Sequence, residues 1–511
     1  MNTDFHNELE DGYIHFRDNL QFELKSEFSF KSDVKQNRVI QEFYLFVPES
    51  LQINSHTYPK SQFYLDETSL IRYKTPNFTF AELSDASNSR SPITRIKSLC
   101  NKTLDPKNKA TIIYEIKLYG SVFRSTLRKA IAHLINVIKA GTVSDSQEEF
   151  AASLHKLCLN VSACRAQFLE LKEEIVQKYE DATLRENFNY VDEFISTVIE
   201  QYLTGFIQKL RTLLHANLAV SDEQLCKLVI AENVYREKHH LKAIQQEDTS
   251  STDAANLFRQ GLLHKFMNEP LHLLSSRAAV IQTHAPILGA VAAGVSMLVY
   301  MALFVYLWQH PLVVMNSTPF VASVVFFYIL KDRIKEGLKS YYQKKAVKWF
   351  PDYRITIYNQ ARQGIGQLNE SFMFKPKEEI PPDILKERNQ GFHNDLDSLQ
   401  RHETVIHYER ELSLFPLILP PQSRRRNELV IIFRLNLIEF LEKASNPYVF
   451  EPYLTPETSE IIYKQIPKVY HLDIILKNTQ FNNLNQKIEE FKKFRIILDK
   501  TGIKRVENVN C

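Results

Sequence analysis

Glycine is scarce in this chain, at 12 of 511 residues, against a usual share of roughly 7%. Loops that cradle phosphate depend on glycine, because only a residue without a Cβ lets the backbone close on the ligand. The shortage speaks against a nucleotide enzyme. Gly364-Ile365-Gly366 lacks a preceding strand pattern and a third glycine, so it is no dinucleotide fingerprint. No G-x-S-x-G, P-loop or kinase signature occurs. The five cysteines (Cys100, Cys158, Cys164, Cys226 and Cys511) are odd in number and scattered, which suits reduced thiols rather than a disulfide frame or a zinc site. Lys and Arg exceed Asp and Glu by only 63 to 60, so no global field argues for nucleic acid. The acidic, polar start from Met1 to Asp11 does not read as a signal peptide.

The most telling absence is local. From Ala278 to Leu330, 53 residues, there is no Asp, Glu, Lys or Arg. One bilayer crossing takes about 20 apolar residues at roughly 1.5 Å rise each, so two crossings fit. The first reads Pro286 to Trp308 and holds ten Leu, Ile, Val or Phe residues, among them Leu298 and Phe304. Together they favour insertion by roughly 3 to 6 kcal/mol. The second reads Pro311 to Leu330, with the polar patch Asn316-Ser317-Thr318-Pro319 in its first half. That patch lies either in the turn or in the bilayer.

Charge flanks the run on both sides. Lys331 to Arg354 carries eight basic and three acidic residues, a net of +5, and Arg259, Lys265 and Arg277 precede the first crossing against Glu269. Basic flanks stay cytoplasmic, so the expectation is a transmembrane helical hairpin with two crossings and both termini cytoplasmic. Its expected membrane anchors are Pro286, Tyr306, Trp308, Pro311, Lys331, Arg333, Lys335 and Trp349. Anionic lipid headgroups are the expected partner of residues 331–354.

Elsewhere the pattern is that of an α+β multidomain integral membrane protein. Residues 1–108 read as a strand-rich cytoplasmic domain, with short apolar or alternating runs at 13–17, 22–25, 43–47 and 71–74. Residues 109–283 read as a helical bundle or coiled stalk. Ile112, Ile116, Tyr119, Phe123, Leu127, Ile131, Leu134 and Ile138 fall on one helical face, and similar stripes follow from Leu154 and from Phe188. The hairpin takes 284–330, a basic juxtamembrane helix and proline-containing linker 331–400, and an α+β cytoplasmic domain 401–511. In that last domain the alternation of Ile431 to Leu437, Tyr470 to Leu476 and Phe494 to Leu498 predicts strands, and Leu437–Lys443 and Asn483–Lys492 read as short helices. The rough symmetry of strand, helix, hairpin, helix, strand suggests that the two ends pack together.

No residue pattern fixes a reaction, a cofactor or a metal. His402 and His407 stand five apart, whereas a zincin needs histidines one turn apart on a helix face. His239-His240 do not share a helix face, and Arg424-Arg425-Arg426 suits a solvated turn. The first functional reading is a membrane-anchored interaction or scaffold protein without catalysis, engaging a protein partner or itself. An oligomeric transport or pore component and a membrane-tethered hydrolase with a non-standard site are the alternatives.

Overall fold

The structure, a computed structural model, describes residues 14–29, 37–85, 87–101, 103–140, 147–214, 219–239, 250–309, 318–360, 362–390, 402–415, 428–454, 461–481 and 487–509. In chain order the strands are β1 (Ile14–Asp18), β2 (Gln21–Ser29), β3 (Asn37–Pro48), β4 (Glu67–Tyr73), β5 (Leu274–Ala279), β6 (Tyr353–Tyr358), β7 (Gly364–Lys375), β8 (Glu403–Leu414), β9 (Glu428–Asn436), β10 (Tyr448–Leu454), β11 (Ile461–Pro467), β12 (Tyr470–Phe481), β13 (Lys487–Asp499) and β14 (Gly502–Val509). The helices are α1 (Lys60–Asp66), α2 (Phe80–Ser84), α3 (Pro92–Cys100), α4 (Pro106–Lys139), α5 (Gln147–Tyr179), α6 (Ala182–Leu214), α7 (Ala219–Lys238), α8 (Ser250–Asn268), α9 (Val280–Gln309), α10 (Thr318–Trp349), α11 (Pro382–Asn389) and α12 (Ile438–Glu442).

The fold is mixed α+β, with sheets built from terminal segments and a helical region in the middle of the chain. Eight strands form one antiparallel sheet in the order β14-β13-β12-β3-β8-β7-β6-β5, and four form a second, β1-β2-β9-β4. The sheets face each other across Phe22, Leu24, Phe433 and Leu435 on one side and Phe43, Leu45, Tyr408 and Ile474 on the other. Strands distant in sequence are neighbours: β2 pairs along its whole length with β9, and β3 lies between β8 and β12. On the opposite face of β3, Tyr44 and Phe46 are covered by Ile380 and Ile384 at α11. The stretch Phe43–Val47 of this strand is therefore buried on both faces and reads as an unbroken apolar run rather than an alternation.

The helices obey the 3.6-residue period. Pro106 opens α4 at a position where its missing N–H costs nothing, and the full stripe from Ile112 to Ile138 is buried. A polar cluster centred on Asp192 joins α5, α6 and α7. Asp192 takes Arg165 Nη2 at 2.6 Å on one oxygen and Lys172 Nζ at 2.6 Å with the Tyr235 hydroxyl at 2.9 Å on the other. Burial opposes the Asp192 charge, but Arg165 and Lys172 outweigh it and hold the carboxyl below its ordinary value. α4 packs against α3, α6 and α8, so this region is a bundle with several contacting faces and not the two-helix seam of a coiled stalk.

Three expectations need correction. First, two membrane crossings are not present among the described residues: a single helix, through Gly289–Tyr306, is long and apolar enough. Among the described residues the second stretch offers no charge-free helix of sufficient length. Pro311, Asn316 and Ser317 lie outside the described residues, and α10 begins at Thr318, leaving thirteen residues before Lys331, Asp332 and Arg333 enter the same helix. Thirteen residues span about 20 Å of helix, short of the roughly 30 Å hydrocarbon core. Second, the placement of both termini on the cytoplasmic side rested on two crossings and falls with them; residues 1–13 and 510–511 also lie outside the described set. Third, the helix expected at 483–492 is strand β13 from Lys487 onward. Its charged residues favour helix locally, but pairing of Lys487–Leu498 with Phe481–Tyr470 decides otherwise.

Candidate functional site

The apolar helix α9 and its neighbour α10 leave and rejoin the body at one place. β5 ends at Ala279 and α9 starts at the next residue; α10 ends at Trp349 and β6 starts at Tyr353. β5 and β6 pair antiparallel, with Ala279 opposite Tyr353, and the Val280 N–H donates to the Asp352 carbonyl at 3.1 Å. The two helices are thus an insertion across the open end of an edge β-ladder. They lie side by side, with Phe304 against Phe320 at 6.3 Å between ring centroids. Within α9, Ala292 and Ser296, one turn apart, are buried, and small residues at this spacing allow close helix approach. The rest of the window is open: only 11% of Gly289–Tyr306 is buried, whereas a core helix of the same composition would be covered.

Beside this insertion sits an ionic junction whose carboxylates are buried. Arg277 of β5 donates from Nη2 to Glu370 Oε2 at 2.6 Å and reaches Glu67 Oε2 at 3.4 Å. Both carboxylates are fully enclosed. The Tyr408 hydroxyl donates to Glu370 Oε1 at 2.8 Å, and the Arg277 guanidinium lies over the rings of Tyr353 and Tyr64 at 4.3 and 4.9 Å. Asp352 extends the network. It accepts from Lys60 Nζ at 2.6 Å, the Tyr64 hydroxyl at 2.9 Å and the Phe372 N–H at 2.8 Å. Glu67 belongs to the small sheet and Arg277, Glu370 and Tyr408 to the large one, so the junction ties both sheets to the helix root. Burial first and the Glu370 charge second push the Glu67 carboxyl up to about 7, against the pull of Arg410 and Arg277. With its acids closed to solvent, this arrangement is suited to holding the helix root in place rather than to turning over a substrate.

The structure distributes the expected anchors along α9 and α10. Pro286 sits exposed within α9, and Tyr306 and Trp308 are exposed at its far end. Lys331 lies with Nζ 4.0 Å from the Tyr328 ring centroid, and Arg333 and Lys335 are exposed on α10. Trp349 ends α10, with its side chain outside the described set, as is Pro311. The basic approach to α9 is largely consumed within the protein. Arg259 makes two bonds to Glu193, at 2.5 and 2.6 Å, and Arg277 is the hub of the junction.

The other motifs resolve as structure. His402 is exposed just before β8, while His407 is buried within it, so they do not converge. His240 and Arg424-Arg425-Arg426 lie outside the described residues. Gly366 belongs to β7, where an added Cβ would meet the Ser413 carbonyl at 2.7 Å; close strand approach, not a ligand, uses this glycine. Tyr353–Tyr358 and Gly364–Lys375, within the segment read as helix and linker, form β6 and β7. The residues missed were Glu67, Glu370 and Tyr408. A signal existed: Glu67 shares strand parity with inward Ile71 and Tyr73, and Glu370 with Leu368 and Phe372. Buried charge on an apolar face marks a network, but the sequence does not pair its members.

A second exposed apolar feature is the two-stranded arm β10–β11. Tyr448 pairs with Pro467, Phe450 with Gln465, Pro452 with Tyr463 and Leu454 with Ile461, which puts them on one face. Phe450, Tyr453, Leu454, Ile461 and Tyr463 are all more than half exposed. Metal-type donors also come together once among the described residues, at Glu42, His407 and Glu409. Compared with family models, curated proteins and solved structures, the chain matches none.

Proposed function

We propose that this is a membrane-anchored interaction protein, held in the bilayer by α9 and presenting its sheets and helical bundle as a rigid body at the membrane surface. The observation that carries the reading is the uncovered apolar window Gly289–Tyr306 rooted in a buried ionic junction. Exposing such a helix to water is unfavourable, and an enclosed charge network at its base fixes the body relative to whatever holds the helix. Lys331, Arg333 and Lys335 on α10 would attract anionic headgroups. The arm β10–β11 favours interaction as the role, because exposed apolar patches of this kind mark contact surfaces.

The test is partition of the full chain with vesicles. Flotation with phosphatidylcholine vesicles, strengthened by phosphatidylserine and weakened by salt, is the expected result. Leu298→Lys, at about 2.5 to 3.5 kcal/mol against insertion, should shift the protein to the supernatant. A wild-type chain that stays dispersed without detergent and does not float would end the reading.

A further inference from the structure

Away from the helix root, on the face of β3 and β8 opposite the sandwich core, two acidic residues oppose each other. Glu42 and Glu409 are direct cross-strand partners, as are the adjacent Tyr44 and His407. Directly opposed like charges destabilise a sheet, so something must compensate them. His407, one diagonal step away and nearly enclosed, stands with Nε2 at 3.4 Å from Glu42 Oε1. Among the described residues it is the one ion-pair partner of either acid.

The neighbouring cations act on these acids only from beyond ion-pair distance, Lys477 on Glu42 and Lys375 on Glu409. Lys477 Nζ is taken by Asp383 at 3.0 Å and Glu489 at 3.3 Å. Arg38 is taken by Glu411 at 2.5 Å. Lys375 Nζ lies over the Tyr44 ring, 5.3 Å from its centroid.

We propose that Glu42, His407 and Glu409 bind a first-row divalent cation, zinc above all, in preference to calcium or magnesium. The donor set is one imidazole nitrogen and two carboxylate oxygens, and nitrogen selects these ions over the all-oxygen preference of calcium and magnesium. Geometry permits it. Donors held at about 2.0–2.1 Å in a tetrahedron stand roughly 3.3 Å apart. The donor atoms here already lie within 4.8 Å of one another, and the Glu42–His407 spacing is 3.4 Å. Rotation of the Glu409 side chain supplies the remaining contraction. The Tyr44 hydroxyl donates to Glu42 Oε1 at 3.0 Å, and such outer partners orient a ligating carboxylate. Three protein donors leave a fourth position for water, and the partly exposed Glu42 side chain opens the site to solvent.

The test uses the full chain in detergent, stripped with chelator and titrated by calorimetry with zinc chloride, manganese chloride and calcium chloride. One zinc per chain is expected, with calcium at least tenfold weaker. His407→Ala and Glu409→Gln should each weaken zinc binding at least tenfold. Cobalt should give a visible d–d band that His407→Ala abolishes. Glu409→Gln preserves side-chain volume, so it keeps the test meaningful if His407→Ala fails to fold, as judged by far-ultraviolet circular dichroism. Folded wild-type protein that takes up no zinc overturns the proposal, and so does zinc binding left unchanged by Glu42→Gln and Glu409→Gln.

Discussion

At the scale of residues, enclosed charges fix how the parts of this molecule meet. Arg277 faces two carboxylates that no solvent reaches. Its removal leaves them uncompensated, so Arg277→Ala should cost about 3–5 kcal/mol, read from the urea midpoint in detergent. Asp192 plays the same part in the bundle, with Arg165, Lys172 and Tyr235 around it. Asp192→Ala should lower stability by a similar amount, about 3–5 kcal/mol, with loss of helical ellipticity at lower temperature. Glu67 gives a pH dependence of defined sign. Its folded value, about 7, lies above the ordinary 4.5, so between these values the folded state holds the extra proton. The stability contributed by protonation is present below 4.5 and is lost as pH rises to 7. Wild type should therefore lose stability relative to Glu67→Gln between pH 5 and pH 8; equal pH profiles in urea titrations would contradict the junction as described.

At the scale of elements, exposure separates the apolar insertion from the packed body. α4, α5 and α6 bury their stripes in the bundle, whereas the α9 window is bare. Val295→Lys, like Leu298→Lys, should abolish membrane retention while leaving the body's melting unchanged, because Val295 is exposed in α9. The β10–β11 arm should behave in parallel. Phe450→Ser with Tyr463→Ser removes two exposed aromatics and should leave the thermal midpoint in place while reducing cross-linking to whatever the arm contacts. A large fall in the midpoint would show instead that the arm is part of the core.

At the scale of the whole molecule, strands remote in sequence complete each other. β3 needs β8 on one edge and β12 on the other, and β2 needs β9. A chain ending after α11 would expose those edges and the aromatic core around Phe43 and Phe433. It should aggregate rather than elute as a monomer in size-exclusion chromatography. The helical stripes were legible because a period of 3.6 is written within a few turns of chain. The strand β7 was less so: Leu368, Phe372 and Phe374 alternate, but Glu370 interrupts the pattern, and its reason lies 93 positions away at Arg277 and 38 away at Tyr408. β5 carried no signal, since its residues are almost wholly exposed at a sheet edge.

By itself the sequence determined that an uncharged run lies mid-chain, that helices flank it on the N-terminal side, and that strands dominate both ends, because hydropathy and periodicity are properties of neighbours along the chain. Only the tertiary structure decided that, among the described residues, a single helix of that run is long enough to cross a bilayer, that Arg277 closes a junction beside it, and that Glu42 meets Glu409. Helix length depends on where the backbone turns, and partners of buried charge are chosen by strand pairing across hundreds of residues.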